Sequence, residues 1–141
     1  MVELTTSLLD VRRLEALVAD PAAGAVVTFL GQVRNHHQGR AVDHLAYEAF
    51  EPMAIACLEQ IAAEAKQRWP LREVAIAHRL GRLEIGETAV AICVSSAHRG
   101  EAFEACRHIM DRIKQDVPIW KHEHWADGTA EWVGPEGSQD G

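Results

Sequence analysis

Hydrophobic positions along the chain alternate in some stretches, and these stretches predict strands. GAVVTFLGQV at 24–33 is β-branched and aromatic, and AVDHLAYEAF at 41–50 alternates loosely, so the two predict a strand pair. The polar run RNHHQGR at 34–40 predicts the turn between them. EVAIAHRLGRL at 73–83 predicts a third strand, and the nearly continuous apolar run ETAVAICVSS at 87–96 predicts a fourth that is buried on both faces.

Three other stretches carry hydrophobic residues at helical spacing. Thr6 or Ser7 is the predicted cap of the first helix; the second starts at Pro52 and ends near Trp69, and the third spans 101–116. The predicted core-facing positions are Leu8, Val11, Leu14, Leu17 and Val18 in the first helix, Met53, Ala56, Cys57, Ile61, Ala62 and Ala65 in the second, and Phe103, Cys106, Ile109, Met110 and Ile113 in the third.

The end of the chain predicts a hairpin. PIWKHEHW at 118–125 and TAEWVG at 129–134 flank Asp127-Gly128, a strong turn signal. Strand pairs separated by helices predict an α+β fold with a mainly antiparallel sheet and two long helices. We expect one domain over residues 1–134 and a disordered tail at 135–141.

Composition narrows the classes of function. The 141 residues carry a net charge of −7, whereas general nucleic-acid binders usually have a basic surplus. No apolar stretch approaches the roughly 20 residues of a membrane helix, and the first residues do not resemble a signal peptide. We therefore expect a cytoplasmic protein that binds neither nucleic acid nor membranes, and that holds any anion with a local basic cluster.

Metal and nucleophile chemistry have weak signals. His122 and His124 fall on the same side of a strand, and His36-His37 lie in a loop, but no HExxH motif or cysteine pair accompanies them. No nucleophile-elbow glycines surround Ser95-Ser96. The three cysteines, Cys57, Cys93 and Cys106, each lie in an apolar run and are predicted to be small buried hydrophobic residues. We predict no metal site and no cofactor.

Cationic residues at the ends of elements are the better candidates for a site. They are Arg34, Arg40, His98, Arg99, Lys114 and Lys121. Lys114 also has a structural interpretation, because Glu104, Arg107 and Asp111 precede it at the spacing of a salt-bridged helix face. Lys121 lies beside Trp120, where partial desolvation would lower a lysine pKa and favour proton transfer.

Six segments occur in an order and spacing that resemble one known family. They are GAVVTFLGQVRNHHQGRAV, LAYEAFEPMA, HRLGRLEIGE, VSSAHRGEAFEA, MDRIKQDVPIWKHE and the closing EWV. Over roughly residues 20–134, the chain resembles the MoaE family, the large catalytic subunits of molybdopterin synthase. This resemblance implies an α+β fold with an α/β-hammerhead element.

The resemblance also implies a reaction and its partners. The family transfers two sulfurs to cyclic pyranopterin monophosphate (precursor Z), which forms the dithiolene of molybdopterin. The sulfur comes from the C-terminal glycine thiocarboxylate of a small ubiquitin-like subunit, whose tail enters the large subunit. The large subunit forms a homodimer within a heterotetramer. Because the partner brings the sulfur, the chain needs no reactive thiol of its own.

The family's functional residues fall on defined positions of this chain. The two essential lysines fall on Lys114 and Lys121, which replaces the structural interpretation of Lys114 with a catalytic one. Substrate-binding positions fall on Arg34, His98, Arg99 and again Lys121. Phe29 and Met110 match positions that line the channel for the partner's tail.

The C-terminal tail departs from the family pattern, and an alternative function stays open. Family members often continue past EWV with a charged stretch that contributes a basic residue, whereas PEGSQDG here is short and acidic. A chain that had lost turnover would be a non-catalytic docking module for a ubiquitin-like sulfur carrier. Both lysines are present, which favours the enzyme.

Overall fold

The computed structural model describes residues 1–134, and this range contains three helices and nine strands. The helices are α1 (Val11–Val18), α2 (Glu51–Arg68) and α3 (Arg99–Asp116). The strands are β1 (Val2–Thr5), β2 (Ala25–Gln32), β3 (His36–His37), β4 (Arg40–Ala49), β5 (Leu71–Arg79), β6 (Gly81–Glu84), β7 (Thr88–Ser96), β8 (Ile119–Trp125) and β9 (Ala130–Val133). The predicted tail at 135–141 lies outside the described residues.

The strands form two sheets where the sequence predicted one. The first sheet has the order β1-β5-β7-β2, and in it β1 is parallel to β5 while the other pairs are antiparallel. The second has the order β3-β4-β8-β9, with β6 also paired to β4, and all its pairs are antiparallel. The predicted α+β class, the mainly antiparallel pairing and the two long helices are confirmed.

The predicted strand at 73–83 is divided between the two sheets. It leaves the first sheet after Arg79 and enters the second at Gly81, whose φ of 83° lies in the left-handed region that favours glycine. The backbone N–H of Leu80 donates to the carbonyl of Thr5 at 2.8 Å and holds this junction against the end of β1. Because one segment of chain runs from the first sheet into the second, the two sheets lie side by side at this junction.

The N-terminal segment differs from its prediction. Residues Val2–Thr5 form a strand, and α1 begins only after Asp10, whose carboxylate accepts a hydrogen bond from the N–H of Arg13 at 3.1 Å. Leu8 is therefore outside the helix and 72% exposed. Leu14 and Val18 still face the core, as the helical spacing predicted.

The two long helices pack on one face of the first sheet, and α1 packs on the other. This arrangement confirms that β7 is buried on both faces. In the first turns of both long helices, alanines face inward and larger neighbouring side chains face solvent. Ala54 and Ala102 are fully buried, while the adjacent Met53 and Phe103 are 57% and 59% exposed. The predicted inclusion of Met53 and Phe103 in the core is wrong, because small residues let these helices approach the sheet closely.

Candidate active site

A cavity of about 370 Å³ lies where the end of α3 meets the first sheet and the inner face of the second. We call it the lysine cavity. Its lining includes five of the residues selected from the sequence, namely Phe29, Arg34, Met110, Lys114 and Lys121. The volume falls within the range of about 300–1,000 Å³ that is common for small-molecule sites. Residues as far as 92 positions apart in sequence, Phe29 and Lys121, thus share one concave surface.

The end of α3 supplies one wall of the cavity. Met110 and Lys114 are four residues apart on this helix, so both project from the same face. Lys114 lies in the last turn, where a cation interacts favourably with the carbonyl end of the helix. Pro118 then prevents the helix from continuing, and the chain turns directly into β8. Because α3 ends here and β8 begins at once, Lys114 and Lys121 both line the cavity.

The end of β2 supplies a second wall. Phe29 and Gly31 lie on the same side of the strand, and a Cβ at Gly31 would come within 2.6 Å of Val90 Cγ1. Glycine at this position therefore allows β2 and β7 to approach closely next to the Phe29 ring. The strand pairing shifts register after Gly31, and Arg34 follows on the exposed rim of the cavity.

A buried carboxylate lies beneath Lys121. Glu123 is two residues further along β8, so its side chain shares a face with that of Lys121. Its Oε1 is 3.0 Å from Lys121 Nζ and 2.8 Å from Nδ1 of His37. Glu123 is only 1% exposed, and it therefore fixes the position of the Lys121 ammonium from inside the protein.

His98 and Arg99 lie elsewhere in this chain. They are at the start of α3, in a separate depression formed with Gly24 and Glu101. Arg99 and Lys114 are 15 positions apart on the same helix, which separates their backbones by about 22 Å. Within one copy of the chain, the structure does not bring the predicted His98-Arg99 pair to the two lysines.

Two aromatic side chains complete the floor of the cavity. The rings of Tyr47 and His78 meet edge to face with centroids 4.9 Å apart. Nδ1 of His78 lies 2.8 Å from the carbonyl oxygen of Arg79, so this nitrogen carries a proton and donates it. Burial lowers the pKa of His78 to about 4, and the hydrogen bond to Arg79 only partly opposes this effect. His78 is therefore a neutral wall residue at pH 7.

The depressed pKa of His78 predicts acid sensitivity. As the pH falls below 6.5, the unfolded chain takes up a proton at His78 while the folded chain does not until about pH 4. The free energy of unfolding should therefore drop by about 3 kcal/mol over this window from His78 alone. We expect urea unfolding of His78→Leu to lack this component. Parallel pH curves for the wild type and the variant would contradict the assignment.

The two histidines of β8 stack on the outer face of the second sheet. His122 and His124 lie on the same side, as alternation predicted, with ring centroids 4.2 Å apart. His44 stacks on His124 at 4.1 Å, and Trp132 stacks on His122 at 4.1 Å. Burial, followed by the neighbouring imidazoles of His44 and His122, lowers the pKa of His124. Within residues 1–134, no group of three or more His, Cys, Asp or Glu side chains is arranged to hold a metal ion.

The cysteines are small hydrophobic residues of the interior. Cys93 and Cys106 are buried, as predicted, and Cys57 is half-buried. Burial raises the pKa of all three thiols, that of Cys106 to about 11. Thiols with a raised pKa are poor nucleophiles at neutral pH, because the thiolate is the reactive form.

Sequence reasoning overlooked three residues of the cavity wall, Tyr47, His78 and Glu123, and it considered a fourth, His37, only as a metal ligand. The signal for Glu123 was present, because the alternation that pairs His122 with His124 also pairs Lys121 with Glu123. His78 lies in the segment HRLGRLEIGE, which supported the resemblance but received no role. The placement of Tyr47 depends on the meeting of β4 with β5, and that of His37 on the meeting of β3 with β8, which no local pattern reveals.

Comparison with known proteins identifies the family. The family model described as "MoaE protein" matches residues 4–116. The chain belongs to the MoaE family. A molybdopterin synthase catalytic subunit from Nostoc sp. (strain PCC 7120) is 45% identical over 131 residues, which is 92% of this chain and 79% of that protein. Such relatives confirm the expectation of an enzyme of molybdenum cofactor biosynthesis.

Solved structures agree with this family membership. Molybdopterin synthase from Staphylococcus aureus superposes with a TM-score of 0.88 at 39% identity, covering 93% of this chain and 95% of that one. A complex of subunits 1 and 2 of the molybdopterin-converting factor from Helicobacter pylori 26695 has a TM-score of 0.75 at 21% identity, covering 94% and 88%, and shows the shared fold. Among the described residues of this MoaE chain, no helix is both long and apolar enough to cross a membrane.

Proposed function

We propose that the chain catalyses sulfur transfer to cyclic pyranopterin monophosphate (precursor Z) and forms the dithiolene of molybdopterin. The donor is the C-terminal glycine thiocarboxylate of a small ubiquitin-like subunit. The observation that carries this proposal is the convergence of Lys114, Lys121 and Arg34 on one cavity in a MoaE chain. The cytoplasmic location stays a prediction from the sequence.

The cavity has walls suited to both reactants. Phe29 and Met110 add apolar surface to the lining, which suits a narrow glycine tail that has no side chain of its own. Arg34 on the rim suits the substrate phosphate, because a guanidinium forms paired hydrogen bonds with phosphate oxygens. A local cationic cluster of this kind attracts two anions to a chain whose net charge is −7.

The two lysines have distinct surroundings, and we assign them distinct roles. Lys114 is half-buried at the end of α3 and stabilises the oxyanion that forms when the acyl–sulfur bond breaks. Lys121, held by Glu123, positions the substrate and transfers protons at the pterin carbons that receive sulfur. A lysine serves as a proton donor because its ammonium is acidic enough to give up a proton, whereas a guanidinium is not.

A homodimer would supply the missing part of the site. We propose that His98 and Arg99 act on the substrate in the lysine cavity of the other protomer, because about 22 Å separates Arg99 from Lys114 along α3. Lys114→Ala and Arg99→Ala should each be inactive alone. After unfolding and refolding together, they should regain roughly a quarter of wild-type turnover, since half of the dimers then contain one complete site.

The mixing experiment has a clear contrary result. No recovery, despite mixed dimers detected by native mass spectrometry of differently tagged chains, would show that Arg99 and Lys114 act within one chain or that Arg99 has no role. Refolding each variant with wild type provides the control for recovery after unfolding.

A further inference from the structure

The buried histidine on the floor of the lysine cavity has one ring nitrogen that the fold does not use. His78 lies on β5 between the buried residues Ala77 and Arg79, and is itself 5% exposed. A polar side chain at this depth normally has a hydrogen-bond partner for each of its polar atoms. Nδ1 has one, the carbonyl oxygen of Arg79 at 2.8 Å. Nε2 has none among residues 1–134.

The fold holds the His78 ring in one tautomer. Since Nδ1 carries the proton that it donates to Arg79, Nε2 bears a lone pair and only accepts hydrogen bonds. Burial keeps the ring uncharged at neutral pH, because it lowers the pKa of His78 to about 4. The edge-to-face contact with Tyr47, at an interplanar angle of 77°, fixes the plane of the ring. The floor therefore presents a neutral, oriented acceptor.

Nε2 of His78 opens onto the cavity. Within the described part of the chain, it is not among the polar side-chain atoms that are both fully buried and without a hydrogen bond. It therefore keeps some accessible surface, and the cavity is the open space that His78 lines. Its surroundings are apolar and aromatic. Val90 lies directly opposite His78 in the β5–β7 pairing, and Leu45 and Tyr47 share a face of β4 and also line the cavity.

A neutral acceptor among apolar side chains selects one chemical class of ligand. It favours a flat, uncharged heterocycle with an N–H donor, which the apolar walls can cover while the donor is satisfied. It disfavours phosphate or carboxylate, because a lone pair without positive charge does not compensate an anion for its lost hydration. The cations of the cavity, Arg34 on the rim and the two lysines, lie on other parts of the lining. The heterocyclic and anionic ends of a ligand therefore belong at different parts of the cavity.

We propose that His78 is a specificity-determining residue that accepts a hydrogen bond from an N–H of the pterin ring system and so sets the direction in which the substrate enters. This inference rests on the proposed function, which makes cyclic pyranopterin monophosphate the substrate. The pterin lies on the floor beside His78 and Tyr47, and the phosphate lies at the rim with Arg34. The two carbons that receive sulfur lie between these ends of the molecule, so this direction keeps them inside the cavity with Lys114 and Lys121.

Nitrogen NMR of the histidine rings tests this contact without using the reaction. In the wild-type chain with isotope-labelled histidine, Nε2 of His78 should give the signal of an unprotonated ring nitrogen. Saturating precursor Z, added without the small subunit so that no sulfur is transferred, should shift this signal upfield, as expected when the nitrogen accepts a hydrogen bond. Inorganic phosphate at the same concentration should leave it unchanged. His108, on α3 outside the cavity, is the internal control.

The spectrum also has contrary results. The His78 signal is assigned by its loss in His78→Phe, or in His78→Gln should the first variant not fold. An unmoved Nε2 signal at saturation, measured by equilibrium dialysis of precursor Z, would overturn the proposal. An equal shift with inorganic phosphate would overturn it as well, because the floor would then not distinguish the heterocycle from the anion.

Substitution separates the acceptor from the ring that carries it. His78→Phe keeps a flat ring without an acceptor and should raise the Kd of precursor Z about tenfold, since an N–H of the ligand is then unpaired on a dry floor. His78→Gln offers an amide oxygen near the position of Nε2 and should stay within about threefold of the wild-type Kd. The matched control, His108→Phe, should keep the wild-type Kd. Equal affinity of wild type and folded His78→Phe would overturn the proposal.

Turnover distinguishes failure of this proposal from failure of the proposed function. In the reconstituted reaction, His78→Phe should raise KM about tenfold and change kcat by less than about threefold. Product from the wild type with an unmoved His78 signal would remove the contact and keep the enzyme. A shifted His78 signal without product would keep the contact and remove the proposed sulfur transfer.

Discussion

Lys114→Ala should lower turnover by about 100-fold to 10,000-fold while leaving the fold intact. The side chain lies in the last turn of α3, half-buried in the cavity wall, so the truncation removes a cation from the site without opening the hydrophobic core. Alanine is a good helix former, so α3 should persist. The measurement is single-turnover kinetics with thiocarboxylated partner, together with circular dichroism of the variant.

Two further variants sharpen this prediction. Lys66, on α2, is an exposed lysine that pairs with Glu73, and Lys66→Ala should keep wild-type turnover. Lys114→Arg keeps the positive charge but is a poor proton donor. Substantial activity in Lys114→Arg supports oxyanion stabilisation, whereas loss as deep as in Lys114→Ala supports proton transfer. Wild-type turnover in Lys114→Ala would remove Lys114 from the mechanism.

Glu123→Ala should produce the largest loss of stability among single changes in the cavity, about 3 kcal/mol in the free energy of unfolding. The substitution removes the buried anion that lies against Lys121 and His37, so the Lys121 ammonium loses this counter-charge in a poorly solvated wall. Urea unfolding followed by tryptophan fluorescence provides the measurement, since Trp125 is 5% exposed on the same strand. Turnover should also fall, because Lys121 loses the group that positions it.

The neighbouring strand offers a matched control for Glu123. Glu131 lies directly opposite Glu123 in the β8–β9 pairing, but its side chain is 59% exposed and pairs with Arg40 at the surface. Glu131→Ala should therefore cost less than about 1 kcal/mol. A similar loss of stability in both variants would show that the burial of Glu123 has no special consequence.

Much of the fold was predictable, because local patterns determine most of its elements. Pro52 and Pro118 mark the start of α2 and the end of α3, and the alternation of 119–125 predicts β8. The division at Gly81 was not predictable, since apolar residues continue through 73–83 and only a second sheet explains the break. The prediction of which helix faces point inward was partly wrong. Hydrophobicity alone does not reveal that buried alanines such as Ala102 permit close packing.

The candidate site was predictable to a smaller extent. Residue types and the family resemblance selected Lys114, Lys121 and Arg34, and the fold brings these residues to one cavity. The same resemblance selected His98 and Arg99, which lie at the far end of α3. Sequence shows that a residue matches a motif but not which copy of the chain uses it. Alternation along 119–125 already places Glu123 on the same face as Lys121, but the burial of Glu123 and its contact with His37 become visible only when the strands are paired.

Reconstitution tests the central claim most directly. The purified chain is mixed with a small ubiquitin-like subunit that bears a C-terminal thiocarboxylate and with precursor Z, and molybdopterin is assayed. We predict product with the wild type and a loss of at least about 100-fold with Lys114→Ala. Tight binding of the partner without product would contradict the enzyme and favour the docking module. Neither binding nor product would contradict the proposed partner and reaction together.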